Sequence, residues 1–288
     1  MGAEPTARPR LVATDLDGTL LRADGTVSPW TRTVLVELER RGVPVVFVTG
    51  RPLRWSREVF EHVGGHGLAI VSNGALVWDV AAEDVHLART FSPAVGLAVC
   101  EAIRTAVPGT AYAVETVDGI GLEPGFLERY PVPEGSLRGP VEELFDDRVL
   151  KLLARHEELG PQEFWDAALA VVGQQAVVTW SSDSSLLEIS AAGVTKATTL
   201  EAVCAGLGVA AHEVVAFGDM PNDLPLLEWA GTSYAMANAH PSLRAATDLV
   251  APDHDQDGVA EVLAELFGLD RSPGSRPVGA WDSGADAI

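Results

Sequence analysis

The feature that most constrains the fold of this chain is a short apolar run that ends in two carboxylates. Arg10 is followed by the apolar residues 11–13, a run short enough to form a buried strand, and Gly18 then ends the segment. Asp15 and Asp17 lie between them and would point the same way if the strand stayed regular. Two like charges about 4 Å apart repel by roughly 4 kcal/mol at an effective dielectric constant of about 20. A fold that buries this stretch must therefore supply a cation, although an ordinary Asp-Gly turn is the alternative that the stretch alone leaves open.

The residues that follow alternate between helical and extended patterns. Helix-start signals such as Ser28-Pro29 and continuous apolar runs predict a helix over 29–41, a strand over 43–49, a helix over 52–62 and a strand over 68–71. This alternation is typical of an α/β fold with a doubly wound parallel sheet. Ligands of such sheets bind at the carboxyl ends of the strands, which is where Asp15, Thr49 and Asn73 fall.

The pattern changes between residues 80 and 188. Strands with few helices between them, and a Gly/Pro-rich passage over 119–140, indicate a separate α+β unit inserted into the first domain. The predicted domains are a discontinuous core over 10–79 and 189–268, an inserted unit over 80–188, and disordered tails over 1–9 and 271–288. The first pattern then returns, with a helix over 195–207 and a strand over 214–217 that ends next to Asp219.

Charge and composition exclude several classes of partner. The 288 residues include 41 acids and 20 bases, for a net charge of −21, which would repel nucleic acid and anionic membranes. No secretory signal or membrane-spanning stretch is visible, and Cys100 and Cys204 lie far apart, as buried thiols in a reducing compartment would. We therefore expect a cytoplasmic protein, a monomer by default, with no nucleic-acid or membrane partner.

Polar residues gather where predicted core strands end or core helices begin. The clusters are Asp15 and Asp17, Thr49 to Arg51, Lys196, and Asp219 with Asn222 and Asp223. Asp15 is a candidate nucleophile towards phosphorus, and Asp17 can protonate a departing alkoxide and then activate water. Asp219 and a carboxylate of the first motif offer the oxygen ligands that Mg²⁺ prefers, while Lys196 adds a fixed positive charge. The Thr49 hydroxyl and nearby backbone N–H groups can hold a phosphate.

These clusters are the places where the chain resembles a known family. The matching stretches are Asp-Leu-Asp-Gly-Thr-Leu-Leu (15–21), Val-Thr-Gly-Arg-Pro (48–52), Ser-Asn-Gly-Ala (72–75), Gly-Val-Thr-Lys (193–196) and Gly-Asp-Met-Pro-Asn-Asp (218–223). In this order, and along nearly the whole core, they are similar to the motifs of haloacid dehalogenase superfamily phosphatases of the Cof-like subfamily with a type IIB cap. The resemblance implies a Rossmann-like core with an α+β cap inserted between the second and third motifs.

The resemblance also implies a role for each motif residue. Asp15 would be the nucleophile, Asp17 the acid/base, and Thr49 and Lys196 the groups that stabilise the phosphate. The predicted phosphate-binding set is Gly18, Gly50, Arg51, Asn73 and Asn222. The predicted Mg²⁺ set is Asp15, the carbonyl of Asp17, Asp219, and Asp223, the last supporting Lys196 or a metal-bound water.

We therefore predict a Mg²⁺-dependent phosphatase that acts on phosphomonoesters of small metabolites, such as sugar phosphates or phosphorylated cofactors. A phosphomutase on the same fold and a non-catalytic phosphometabolite-binding regulator are the alternatives. Arg51 as a surface residue at a helix start, and Asn73 as a turn cap, also stay open. The acidity of the inserted unit disfavours leaving groups that carry several extra negative charges.

Overall fold

The computed structural model describes residues 8–63, 67–180 and 184–271. Its strands are β1 (Leu11–Thr14), β2 (Val45–Val48), β3 (Leu68–Val71), β4 (Leu76–Asp79), β5 (Asp84–Ala88), β6 (Ala111–Glu115), β7 (Ile120–Leu122), β8 (Lys151–Arg155), β9 (Ala176–Thr179), β10 (Leu186–Ala191), β11 (Val214–Gly218), β12 (Thr232–Met236) and β13 (Leu249–Ala251). Its helices are α1 (Pro29–Arg40), α2 (Leu53–Val63), α3 (Pro93–Ala106), α4 (Val141–Leu144), α5 (Pro161–Val172), α6 (Lys196–Leu207), α7 (Leu224–Trp229), α8 (Pro241–Ala246) and α9 (Gly258–Phe267).

The larger of the two sheets has eight strands, in the order β13-β12-β11-β1-β2-β3-β4-β5. The strands from β13 to β3 are parallel, and β4 and β5 continue the sheet in antiparallel pairing. From β1 the chain moves outward through β2 and β3, and later it returns to β11 on the other side of β1. The strand order therefore reverses at β1, which is where open α/β sheets form their ligand crevice. The predicted α/β fold class is confirmed.

The helices of the large sheet begin and end where the sequence signals place them. Ser28 accepts a hydrogen bond from the Thr31 backbone N–H at the start of α1, with Pro29 in the first turn. Thr195 caps α6 in the same way, and Gly208 ends that helix in the left-handed conformation. The helix α1 packs against α9, and α6 packs against α7. The central strands β1 and β11 are buried at every residue, as their continuous apolar runs require.

A second sheet of five antiparallel strands, in the order β7-β6-β8-β10-β9, is built from the residues between β5 and α6. The helices α3 and α5 cover one face, where Tyr112 and Phe164 are buried in a shared apolar cluster. We call the opposite face the inner face; alternation along the strands places Glu115, Lys151 and Leu153 on it. The inner face contacts the large sheet's loops, as described below.

Strand pairing differs from the predicted domain limits at both ends of the inserted unit. β5 lies within 80–188, yet it pairs with β4 in the large sheet, while β10 crosses the predicted limit at residue 188 within the small sheet. The sequence did not predict β5 because every residue of this edge strand is exposed, so it lacks an apolar run.

The predicted tails fall mostly on residues 1–7 and 272–288, which lie outside the described residues. Arg271, the first residue of the predicted C-terminal tail, forms ion pairs with Glu261 and Asp257. In the described ranges, no helix combines the length and the apolar character that crossing a membrane requires. Cys100 and Cys204 are both free and buried, and burial raises the pKa of the two thiols to about 12 and about 11, so both stay protonated.

Candidate active site

The predicted site residues meet at the carboxyl edge of the parallel strands. Asp15 follows β1, Thr49 follows β2 and Asp219 follows β11, while Lys196 is the first residue of α6. The Asp15 backbone N–H donates to the Phe217 carbonyl at 3.1 Å, which ties the end of β1 to the end of β11. Residues that are more than 200 positions apart are thus brought to one crevice by the reversal of strand order.

Lys196 bridges two buried carboxylates. Its Nζ donates to Asp15 Oδ1 at 2.6 Å and to Asp223 Oδ1 at 2.5 Å, and its side chain is 1% exposed. Burial opposes the charge on Lys196, but the two carboxylates outweigh burial and raise its pKa. The ammonium group therefore stays charged at any physiological pH and holds both aspartates in place.

Asp223 uses its second oxygen to shape the loop after β11. Asp223 Oδ2 accepts hydrogen bonds from the backbone N–H groups of Asp219 at 3.0 Å and Met220 at 3.1 Å. Gly218 lies so close that a Cβ atom there would be 2.5 Å from the Cβ of Asp223, so a side chain does not fit. With both oxygens bound, Asp223 is placed to support Lys196 and the backbone around Asp219.

Three carboxylates converge with only one lysine between them. Oxygen atoms of Asp15, Asp219 and Asp223 lie within 4.8 Å of one another, and all three residues are buried. Burial raises the pKa of Asp15 well above its ordinary value; Lys196 lowers it, and the neighbouring aspartates raise it again. Burial and then the Asp223 carboxylate raise the pKa of Asp219 to about 7. This excess of buried negative charge, on hard oxygen donors, fits a divalent cation such as Mg²⁺.

Gly18 lets the first loop approach Asp219. Its φ is +68°, and a Cβ atom there would be 2.3 Å from Asp219 Oδ2, so both conformation and space require glycine. The Gly18 carbonyl accepts from Asn238 Nδ2 at 2.7 Å, and the Thr19 hydroxyl donates to Asp219 Oδ1 at 3.1 Å. Gly18, which was predicted to bind phosphate, thus lies directly beside the carboxylate cluster.

Asp17 does not share the environment of Asp15. The strand ends at Thr14, and Asp17 lies in a tight turn with its side chain 55% exposed. Arg51 donates to both of its carboxylate oxygens, from Nε at 2.6 Å and from Nη2 at 2.5 Å. The strand does not stay regular as far as Asp17, so Asp15 pairs with Lys196 whereas Asp17 pairs with Arg51.

The loop after β2 places Thr49 and Arg51 beside the same crevice. The Thr49 hydroxyl is buried and accepts from the Arg51 backbone N–H at 3.1 Å. The hydrogen bond to Asp17 raises the pKa of Arg51, so its side chain is engaged at the crevice rather than free at a helix start.

Asn73 and Asn222 form a buried pair next to Gly50. Asn222 Nδ2 donates to Asn73 Oδ1 at 3.1 Å, and Asn73 Nδ2 donates to Glu188, so the Asn73 side chain does not cap its own turn. A Cβ atom on Gly50 would be 3.0 Å from Asn73 Oδ1 and 3.4 Å from Asn222 Nδ2. Asn222 Oδ1 is buried without a hydrogen-bond partner among the described residues, which leaves one acceptor for a ligand or water.

The sequence reasoning missed a group of charged residues that joins the inner face to these loops. Lys151 Nζ donates to the Gly50 carbonyl at 2.9 Å and lies 3.5 Å from Glu188 and 3.3 Å from Glu115. Arg54 of α2 pairs with Glu115 at 3.2 Å. Burial opposes the charge on Lys151, but Glu115 and Glu188 outweigh it and raise its pKa.

One signal in the sequence could have found this group. Only two of the 20 basic residues are lysines, Lys151 and Lys196, and each side chain is almost completely buried against two carboxylates. A chain that otherwise uses arginine for its surface cations places lysine only at these two interior positions. The rarity of lysine therefore indicated Lys151 as well as the motif lysine.

A doubly wound core, an inserted antiparallel unit, and a lysine-bridged aspartate cluster at the switch point together define a haloacid dehalogenase-type hydrolase. Comparison with known protein families agrees with this assignment. The family described as "haloacid dehalogenase-like hydrolase" matches residues 12–263. The chain belongs to this family, and the resemblance predicted from its motifs is confirmed.

Three known proteins illustrate the similarity. The chain is 28% identical to the 5-amino-6-(5-phospho-D-ribitylamino)uracil phosphatase YitU of Bacillus subtilis, over 91% of this chain and 99% of that protein. It is 31% identical to a phosphoglycolate phosphatase of Methanopyrus kandleri, over 89% and 97% of the two chains. The solved structure of the subclass IIB sugar phosphatase BT4131 superimposes with a TM-score of 0.72 at 20% identity, covering 90% of this chain and 99% of that one.

Proposed function

We propose that this protein is a Mg²⁺-dependent phosphatase that hydrolyses phosphomonoesters of small metabolites through an aspartyl-phosphate on Asp15. The enzyme class, phosphoric monoester hydrolase, follows from the family membership and from relatives that are named phosphatases. The observation that carries the mechanism is the bridge from Lys196 to Asp15 and Asp223 beside Asp219.

The first half of the reaction transfers the phosphoryl group to Asp15. A carboxylate oxygen of Asp15 forms a bond to phosphorus while the bond from phosphorus to the ester oxygen breaks. Asp17 donates a proton to the departing alkoxide, which leaves as an alcohol. Lys196 stays hydrogen-bonded to Asp15 and offsets the negative charge that develops on the phosphoryl oxygens.

The second half releases phosphate and restores the protein. Asp17, now a carboxylate, takes a proton from a water molecule whose oxygen attacks phosphorus, and the bond from phosphorus to Asp15 breaks. The Thr49 hydroxyl and the Asn222 side chain border the space in which the phosphoryl oxygens would lie. A Mg²⁺ ion held by Asp15, Asp219 and the Asp17 carbonyl, with Asp223 behind them, would neutralise phosphoryl charge when bound.

Arg51 has to release Asp17 during this cycle. A carboxylate whose two oxygens both accept from one guanidinium group cannot also donate a proton to the leaving group. The incoming phosphate offers Arg51 an alternative bidentate partner, so binding of the substrate frees Asp17 for proton transfer. The alternative of Arg51 as a plain surface residue does not account for this pairing.

The activity is tested by phosphate release from p-nitrophenyl phosphate with purified protein. Asp15→Asn should lower kcat by roughly 10⁴-fold or more, the scale expected for loss of a nucleophile. Removal of divalent ions with EDTA should abolish activity, and Mg²⁺ should restore it. Asp118→Asn, at an exposed aspartate of the inserted unit, is the matched control and should keep full activity.

The alternatives give different results in the same assay. Phosphate release that survives both Asp15→Asn and EDTA would overturn the proposal. Transfer that requires a bisphosphate activator and releases no net phosphate would indicate a phosphomutase. Tight binding of phosphorylated metabolites without turnover would indicate a regulator.

A further inference from the structure

Arg155, the last residue of β8, is a buried cation for which the described residues provide no ion pair. It is 3% exposed, and its Nε and Nη1 atoms have no hydrogen-bond partner in the part of the chain that the structure describes. The nearest acidic residue along the chain, Glu157, instead lies 3.6 Å from Arg129 in an exposed ion pair. The guanidinium group of Arg155 therefore lacks the carboxylate that buried arginines normally require.

The side chains packed directly against Arg155 are apolar, and the charges that act on it, Arg129, Glu157 and Glu128, lie beyond ion-pair distance. Its guanidinium carbon lies 5.3 Å from the ring centroid of Phe126, and Ala111 and Leu186 face it from the two neighbouring strands. Burial lowers the pKa of Arg155, yet arginine keeps its proton in proteins. The Phe126 ring and the more distant charges of Glu157 and Glu128 offset only part of the cost of burying this charge, because Nε and Nη1 find no hydrogen-bond partner among the described residues. This lack indicates that a ligand supplies the partner.

Strand pairing places Arg155 diagonally across from Glu188, the residue that accepts a hydrogen bond from Asn73. Arg155 is on the inner face, on the same side of β8 as Lys151. In the pairing of β8 with β10, Leu186 lies opposite Arg155 and Glu188 lies opposite Leu153. Arg155 and Glu188 are therefore diagonal neighbours, with Cα atoms about 7–8 Å apart.

The loop after β7 lies between Arg155 and the large sheet. The ring of Tyr130 packs edge-on against Trp55 of α2, with centroids 4.9 Å apart. Phe126 of this loop contacts Arg155 and Tyr130 of the same loop contacts α2, so the loop connects Arg155 with the helix that follows Arg51.

We infer that Arg155 binds an anionic oxygen group, of the carboxylate class, at the end of the leaving group that is remote from the reacting phosphate. This inference rests on the proposed phosphatase function and names a substrate class for it. Arginine binds planar pairs of oxygen atoms through two parallel hydrogen bonds, and Nε and Nη1 are both available. One cation suits one extra negative charge, in agreement with the expectation that the acidity of the inserted unit disfavours leaving groups with several.

The test compares two substrates that differ only at the remote end. In 6-phosphogluconate this end is a carboxylate, and in sorbitol 6-phosphate it is a hydroxymethyl group. The ratio of their kcat/KM values should fall by roughly 10- to 100-fold in Arg155→Met, since a hydrogen bond to a charged group contributes on that scale. Arg129→Met removes an exposed cation from the same region and should leave the ratio unchanged.

Binding without turnover separates this inference from the proposed function. Calorimetric titration of 6-phosphogluconate into Asp15→Asn, and into the same variant with Arg155→Met added, should show a loss of affinity of the same size. Equal affinities, or an equal fall of the kcat/KM ratio in Arg129→Met, would overturn the role of Arg155. If the wild type hydrolyses neither these two substrates nor p-nitrophenyl phosphate but the affinities still differ, then the phosphatase proposal fails and the anion site stands.

A stability measurement excludes a purely structural role. Arg155→Met replaces an unpaired buried charge with an apolar side chain of similar length, so its Tm should equal or exceed that of the wild type. Arg155→Lys keeps the charge but not the two parallel donors, and should recover only part of the kcat/KM ratio. A marked fall in Tm for Arg155→Met, with the ratio intact, would show that Arg155 only stabilises the fold.

Discussion

Arg51 donates hydrogen bonds to both carboxylate oxygens of Asp17, at 2.6 and 2.5 Å, although the two residues are 34 positions apart in the sequence. The pair joins the loop after β2 to the turn after β1, and Asp17 is still 55% exposed at the crevice. Exposed ion pairs typically contribute about 0.2–1 kcal/mol to stability. The main effect of the Arg51–Asp17 pair is therefore to fix the position of the Asp17 side chain, the proposed acid/base, before a substrate binds.

Replacing Arg51 should therefore impair catalysis more than folding. We expect Arg51→Met to lower kcat/KM by roughly 10- to 100-fold, since a charge-assisted bidentate contact to phosphate is lost, with little change in the free energy of unfolding. Steady-state kinetics and urea unfolding measure the two effects. Arg51→Lys should recover only part of the rate, and unchanged kcat/KM in both variants would return Arg51 to a surface role.

Lys196 should contribute strongly to the stability of the fold. Lys196→Met leaves Asp15 and Asp223 buried without their cation, and breaking a buried pair in this way costs about 3–5 kcal/mol. Urea unfolding in EDTA measures the loss. The double variant Lys196→Met with Asp223→Asn should lose less than the two single changes added together, because the second change removes one of the stranded charges. Strict additivity would contradict the coupling of these residues.

The positions of the motif residues could be predicted from the sequence, since each adjoins an element whose end is marked locally. Asp15, Thr49 and Asp219 follow apolar runs, and Lys196 follows a helix cap at Thr195. Parallel strands bring such ends together whatever the details of packing. The fold class followed from the same alternation.

The other features of the site could not be predicted, because they depend on contacts between segments that are distant in the sequence, which no local pattern encodes. The turn that separates Asp17 from Asp15, the contact of Lys151 with Gly50, and the lack of a partner for Arg155 all arise from the packing of distant segments. Their spacing in the sequence has no helical or strand period, so periodicity could not reveal them.

Lys151 should act on catalysis through the loops that it touches. It bonds to the Gly50 carbonyl and pairs with Glu188, which in turn accepts from Asn73. We expect Lys151→Met to destabilise the protein by about 3–5 kcal/mol and to lower kcat as well, because Glu115 and Glu188 would repel each other beside the phosphate site.

Kinetic measurements below the unfolding transition separate these two effects of Lys151. Lys151→Arg retains the charge and should restore most of the stability, whereas the altered geometry at Gly50 should keep kcat low. Arg148→Met, at an exposed ion pair of the same unit, is the matched control and should change neither quantity. Normal kcat in folded Lys151→Met would limit Lys151 to a structural role.

Asp219 should link stability, pH and Mg²⁺. Burial raises the pKa of Asp219 from its ordinary value of 3.8 to about 7, so between these values the folded protein holds a proton that the unfolded chain has lost. Because the unfolded state then binds fewer protons, this group makes the free energy of unfolding fall as pH rises through that window. Mg²⁺ binds the ionised carboxylates, so the stabilisation it gives should grow with pH and be nearly complete by about pH 8.

Urea unfolding at several pH values, in EDTA and in excess Mg²⁺, measures both trends. Asp219→Asn cannot titrate, so the pH-dependent part of the Mg²⁺ effect should shrink in this variant, and an unchanged slope would assign the proton to another group.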